Sequence, residues 1–189
     1  YHEEYETMKN LGNIYLLEKE YKKASKYYKK ALSIQPNYCP ALSNLGIIEL
    51  LSGNIKKSKS WLMKSYEYDS NHLPTIINIV NFYFKIKDYS ECEIFCEKVL
   101  ELDKTNSSSY LILCDIQVKQ KRFNEAESNL NKAIKLNPTS AELYSKLGLI
   151  KLYKCDFKGS ILNFKKSISL DKNDALSHLN LGEAFLKIE

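Results

Sequence analysis

The dipeptide Leu-Gly returns at a fixed distance along this chain, at Leu11-Gly12, Leu45-Gly46, Leu147-Gly148 and Leu181-Gly182. The successive spacings are 34, three times 34, and 34 residues. The two skipped registers hold Ile79-Val80 and Leu113-Cys114, again apolar then small. A period of this length marks a stacked repeat, because one such unit cannot bury its own apolar face and needs neighbours on both sides. The chain divides without insertion or deletion into 5–38, 39–72, 73–106, 107–140 and 141–174, with a half-unit at 175–189. A single array over 1–189 is expected. The chain opens on Tyr1 rather than Met, so it is expected to be a piece of a longer protein.

Numbering each unit from 1 to 34 gives two helical stripes. Positions 4, 7, 8 and 11 are apolar or small, on one face of a first helix, and positions 17, 20, 24, 27 and 28 do the same for a second. Position 20 is Ala24, Ser58, Cys92, Ala126 and Ser160. Position 8 is Gly12, Gly46, Val80, Cys114, Gly148 and Gly182. Two helices joined by a short turn approach closely only where side chains are small, so positions 8 and 20 mark the crossing. Pro36 and Pro138 stop second helices, and Pro40 and Pro74 fall in the first turn of the next helix, where the missing N–H costs nothing.

Little in the sequence carries reaction chemistry. The glycines sit at crossings, in the turn at Gly53, or beside position 20 at Gly159, leaving none for a phosphate-cradling loop. His2, His72 and His178 fall in different units with no zinc-ligand spacing. Cys92 and Cys96 stand at core positions 20 and 24, so they read as packing rather than as a metal or redox pair. Five cysteines without paired spacing argue against a disulfide framework. No enzyme activity and no cofactor are expected in this chain. A formal charge of +5 over 189 residues is modest, and Lys22, Lys23, Lys26, Lys29, Lys30, Lys56, Lys57, Lys59 and Lys64 read as a solvated face. Neither nucleic acid nor membrane is expected as a partner. Without an apolar run long enough to span a bilayer or a visible leader, the expected compartment is cytoplasm or nucleus.

A 34-residue unit with Leu-Gly at 7–8, Ala at 20, an aromatic at 24, Ala at 27 and Pro at 32 resembles the tetratricopeptide repeat, and the likeness covers residues 5 to 189. Departures stand at position 11, where Glu49, Gln117 and Lys151 replace an aromatic, and at position 32, where Ser70, Lys104 and Lys172 replace proline. The resemblance implies an all-α fold, a right-handed α-solenoid of helix-turn-helix repeats. It also implies a scaffold for other proteins or peptides, with first helices lining an inner groove.

The helical wheel turns positions 2, 6, 9 and 13 away from positions 4, 7, 8 and 11. Those 24 places hold six of the chain's 16 asparagines, where chance would put about two. They are Asn10, Asn44, Asn78 and Asn180 at position 6, and Asn13 and Asn81 at position 9. Asp115, Lys146, Lys85 and Lys119 share the same columns. An amide both donates and accepts, matching a peptide group, and one asparagine per unit could grip an extended chain about every third residue. The groove predicted from these columns is therefore Asn10, Asn13, Asn44, Asn78, Asn81, Lys85, Asp115, Lys119, Lys146 and Asn180, to which the clamp resemblance given below adds Lys9. The Asn-Leu-Gly triplets at 10–12, 44–46 and 180–182 resemble the inner asparagine ladder of the O-linked N-acetylglucosamine transferase repeats. That resemblance allows a substrate-selecting arm whose catalytic domain lies elsewhere. Lys9, Asn13 and Asn44 also resemble part of the carboxylate clamp of heat-shock co-chaperones, although Pro74 and Asn78 stand where its last cations would be. A further reading is a structural subunit of an assembly, with self-association through the open C-terminal helix at Leu181 and Phe185.

Overall fold

A computed structural model of the chain describes residues 2–188, His2 through its backbone alone. The first helices are α1 (His2–Leu17), α3 (Cys39–Leu51), α5 (Leu73–Ile86), α7 (Ser107–Lys119), α9 (Ala141–Tyr153) and α11 (Ala175–Leu186). The second helices are α2 (Tyr21–Ile34), α4 (Ile55–Tyr68), α6 (Tyr89–Leu102), α8 (Phe123–Leu136) and α10 (Phe157–Leu170). Each second helix begins at position 17, on the apolar anchor, and ends at position 30. The described residues hold no strand. The fold is all-α, of the α-solenoid class built from helical hairpins.

The turn inside each hairpin has one recipe. The residue at position 15 takes a left-handed backbone: Lys19, Gly53, Lys87, Lys121 and Cys155 have φ of 61, 79, 62, 60 and 60°. Its N–H donates to the carbonyl of position 12, and the next N–H reaches the carbonyl of position 11, as Lys19 does to Leu16 and Glu20 to Tyr15. This double bond pattern closes the exposed carbonyl end of the first helix. Four of the five positions lack glycine and carry a left-handed cost of about 1–2 kcal/mol each, which the packed hairpin offsets.

The chain forms two compact units, Tyr1–Leu102 and Asp103–Glu189. In the first, Ala24, Tyr28, Ala31, Ala41, Leu45 and Ile48 form a buried cluster. In the second, Cys114, Ala126, Leu130, Ala133, Leu143, Leu147 and Ile150 do so. The crossings are tight because glycine is there. A Cβ on Gly12 would stand 2.5 Å from the Tyr28 ring, and one on Gly148 would stand 2.6 Å from the Phe164 ring.

The expected core stripe of the first helices needs correction. Position 10 is buried as Ile48, Phe82, Ile116, Ile150 and Ala184, whereas position 11 is buried only as Tyr83 and Gln117. His178, at position 4, is exposed. Ile48 packs back onto the preceding hairpin at Ala24 and Tyr28, as Ile150 does at Ala126 and Leu130, and a wheel drawn for one hairpin omits that neighbour. Ile14, with no helix before α1 among the described residues, is 51% exposed.

Candidate functional site

The residues expected to line a groove lie on the first helices of the two units, and each unit is built from its own pairings. In the first, α1 supplies Asn13 at position 9 and α3 supplies Asn44 at position 6. The Asn44 amide donates to Asn13 Oδ1 at 3.0 Å and to the Tyr28 hydroxyl at 3.2 Å. That hydroxyl in turn donates to Asn13 Oδ1 at 2.7 Å. Tyr28 belongs to α2, and its ring reaches the first-helix side because Gly12 leaves room for it. Burial pushes the Tyr28 phenol up to about 12, against a smaller opposing effect of the Asn44 amide. The three groups form a closed set that holds both asparagines in one orientation. Asn13 keeps its Nδ2 donor and Asn44 its Oδ1 acceptor, and both side chains are half-buried.

The other residues expected in the groove of this unit are less tied. Asn10, Asn81 and Lys85 are exposed and Asn78 is half-buried; the three asparagine amides make no hydrogen bond among the described residues. Lys9 does not stand free for a partner's carboxylate, because it pairs with Glu6 at 3.1 Å. Glu6 also accepts from the Tyr38 hydroxyl at 2.6 Å. The trio of Lys9, Asn13 and Asn44 is thus brought together on α1 and α3, with its cation already neutralised.

In the second unit the equivalent positions hold ions. Lys146 Nζ of α9 meets Asp115 Oδ1 of α7 at 2.8 Å. Burial pulls the Lys146 ammonium down, and the bond and charge of Asp115 more than reverse that, so it ends raised. In the same unit, Glu127 of α8 is held by Lys151 at 2.7 Å and Lys154 at 2.6 Å. Burial would raise the Glu127 carboxyl, but the two lysines bring it below the usual carboxylate range. Lys119 is exposed.

Asn180 corrects the expected groove. It is 7% exposed, and its Nδ2 has no hydrogen-bond partner among the described residues. Where Asn44 meets Asn13 one repeat earlier, Asn180 has Leu149 in the corresponding place, and a leucine accepts nothing. A buried amide without a partner costs about 1–3 kcal/mol. Asn180 is therefore an orphaned core amide rather than a groove rung. The residue that sequence reasoning missed is Tyr28, taken as core alone. Its signal was the hydroxyl, absent from the other residues at position 24, Leu62, Cys96, Leu130 and Phe164.

The cysteines at 92 and 96 are fully buried on α6, and the Cys92 thiol donates to the Val80 carbonyl at 3.5 Å. The hydrogen bond that the Cys96 thiol donates to Cys92, then burial, raises the Cys96 thiol. Among the described residues no group of three His, Cys, Asp or Glu could hold a metal ion. No helix there is long and apolar enough to cross a membrane.

Family models described as Tetratricopeptide repeat match residues 5–38 and 73–106, and one described as TPR repeat matches residues 115–152. No curated protein matches the sequence. Solved structures share the fold at low identity. PilF of Pseudomonas aeruginosa aligns with a TM-score of 0.85 at 18% identity, over 99% of this chain and 86% of its own. MamA from Desulfovibrio magneticus aligns with a TM-score of 0.79 at 19% identity, over 91% and 97%. YrrB, described as a TPR protein with an unusual peptide-binding site, aligns with a TM-score of 0.75 at 16% identity, over 91% and 89%.

Proposed function

The chain belongs to the tetratricopeptide repeat family, a scaffold for interaction with other proteins, and on that premise we propose that its first unit binds extended segments of partner proteins by their main chain. The observation that carries this is the Asn13–Asn44–Tyr28 set. It fixes two amides in place and leaves one donor, on Asn13, and one acceptor, on Asn44. A peptide group has one acceptor and one donor, so a fixed pair of this kind meets it without ordering either amide at the moment of binding. Asn10 on α1 and Asn78 and Asn81 on α5 add further unspent amides. Contacts of this type read backbone, so the unit accepts many sequences in extended form. The second unit, with Asp115 and Lys146 joined to each other, contributes ionic contacts instead, and exposed Lys119 favours acidic side chains there.

Display selection of random unstructured peptides against the chain tests this. Selected peptides are then titrated against wild type, Asn13→Ala/Asn44→Ala, and the outer-face control Lys26→Ala/Lys29→Ala, each checked for helicity. The expected result is a loss of about tenfold or more, or about 1.4 kcal/mol, for the asparagine pair and little change for the lysine pair. Unchanged affinity in the asparagine variant would sink the reading.

A further inference from the structure

Position 13 ends the stripe that holds positions 2, 6 and 9, one helical turn, about 6 Å, beyond position 9. It is exposed in every repeat, as Leu17, Leu51, Lys85, Lys119, Tyr153 and Lys187. Repeats with a hairpin on either side also leave it open, so the exposure belongs to the repeat plan. Three of the six are lysine, so the fold asks for no apolar side chain there. In the first unit, however, two leucines hold this column on neighbouring helices, Leu17 83% and Leu51 47% exposed. Ile47 adds a half-buried apolar side chain one turn before Leu51. Lys85 of α5 ends the column, exposed and in the last turn of its helix, with no ion pair among the described residues.

α1, α3 and α5 carry these three side chains one repeat apart within one compact unit. Packed helices stand about 8–10 Å apart. A polyproline II chain advances about 3.1 Å per residue and turns once in three, so every third side chain returns to the same side about 9.3 Å further on. Its N–H and C=O groups are not spent within the chain, so they are open to the donor of Asn13 and the acceptor of Asn44. A flat strand alternates its side chains with period two. Residues three apart on it fall on opposite faces and cannot both reach the column. The spacing therefore selects a chain with threefold turn. Its main chain lies along positions 6 and 9, and every third side chain lies along position 13.

We infer that the segment bound by the first unit is a polyproline II-like stretch with two large apolar side chains three residues apart, seated on Leu17 and Leu51, and an acidic side chain three residues beyond, paired with Lys85. This rests on the main-chain binding proposed above and narrows the sequences that the amides alone would admit.

Display selection of random unstructured peptides on the 189-residue chain, with the enriched sequences aligned, is the test. Peptides enriched on wild type should share large apolar residues at two places three apart and an aspartate or glutamate three further on, in one direction along the peptide. Selection on Leu17→Ser/Leu51→Ser should lose the apolar pair and keep the acid. Selection on Lys85→Glu should exchange the acid for lysine or arginine. Peptides enriched on wild type should bind the leucine variant about tenfold or more weakly. All three side chains are exposed, so the variants should melt with wild type. Enriched peptides without the three-residue spacing overturn the inference, and a spacing of two, the mark of a flat strand, does so as well. An apolar pair that survives Leu17→Ser/Leu51→Ser, or an acid that survives Lys85→Glu, also overturns it. Peptides weakened by Asn13→Ala/Asn44→Ala and indifferent to Leu17→Ser/Leu51→Ser overturn it and leave the main-chain binding standing. A library that yields no binder, or only binders indifferent to both pairs, overturns both.

Discussion

The two units repeat one helix plan and lock neighbouring first helices at the same point with different chemistry. Position 9 of one repeat faces position 6 of the next. In the first unit these are Asn13 and Asn44, joined by amide and hydroxyl bonds. In the second they are Asp115 and Lys146, joined as ions. Two further junctions hold an apolar residue at position 9, Ile47 before Asn78 and Leu149 before Asn180, and neither asparagine finds a partner there. The lesson concerns what the position-6 asparagine is for. Given a polar neighbour it becomes a fixed strut with one group to spare, and given leucine it becomes a liability that burial cannot satisfy.

If the units differ at these struts and not in their interiors, core deletions should cost the same in both. Leu45→Ala and Leu147→Ala remove side chains that are 1% and 7% exposed at the same repeat position. Each should lower the stability of the chain by about 2–5 kcal/mol, read by urea unfolding. A large cost at one and almost none at the other would mean that the units differ in packing, and the comparison at the struts would lose its meaning.

How far the sequence discloses this follows from how far along the chain each contact reaches. The period, the hairpins and the crossing glycines were legible, because Leu-Gly recurs in phase and steric need leaves small residues at positions 8 and 20. Gly53 announced one turn. The matching left-handed backbone at Lys19, Lys87, Lys121 and Cys155 was not announced, since the hairpin imposes it on residues that do not prefer it. The burial of position 10 was hidden, because Ile48 packs on a hairpin that precedes its own. The struts were hidden for the same reason. Asn13 and Asn44 lie 31 residues apart, and so do Asp115 and Lys146. A wheel shows which side a residue faces and not what stands opposite it, so Asn180 looked like Asn44 until Leu149 was set beside it.

Alkali should separate the units. The Tyr28 phenol titrates at about 12 when folded, against a usual value of 10. Its neutral form is therefore the one the fold favours. That contribution is fully present below pH 10 and is lost as the pH rises from 10 towards 12. Two full pH units would correspond to about 2.7 kcal/mol. The hydroxyl ends among half-buried amides, where solvent screens it, so the expected loss is about 2 kcal/mol. Tyr28→Phe should cost about 1 kcal/mol at pH 8, for the lost hydrogen bonds, and should unfold with a correspondingly flatter dependence above pH 10. Parallel curves for the variant and wild type between pH 10 and 12 would show that the phenol's burial does not stabilise the first unit.

The smallest effect tests whether the two locks are interchangeable. Asp115→Asn/Lys146→Asn converts the ionic strut into the amide pair found at Asn13 and Asn44. The side chains of Lys146 and Asp115 are 29% and 37% exposed, so water screens their attraction and a coupling of about 0.5–1 kcal/mol is expected from a double-mutant cycle. Each single change should cost about that much, since it leaves one half-buried charge without its partner, and the double change should return to within about 0.5 kcal/mol of wild type. Added salt carries the sharper signature. Between about 0.1 M and 1 M the screening length falls from about 10 to about 3 Å, so the wild-type coupling should shrink with salt while the Asn/Asn pair stays level. A double variant that remains as unstable as the sum of the single ones would mean that an amide pair needs Tyr28 beside it to hold, and that Leu130, at the corresponding position of the second unit, is why that unit uses ions.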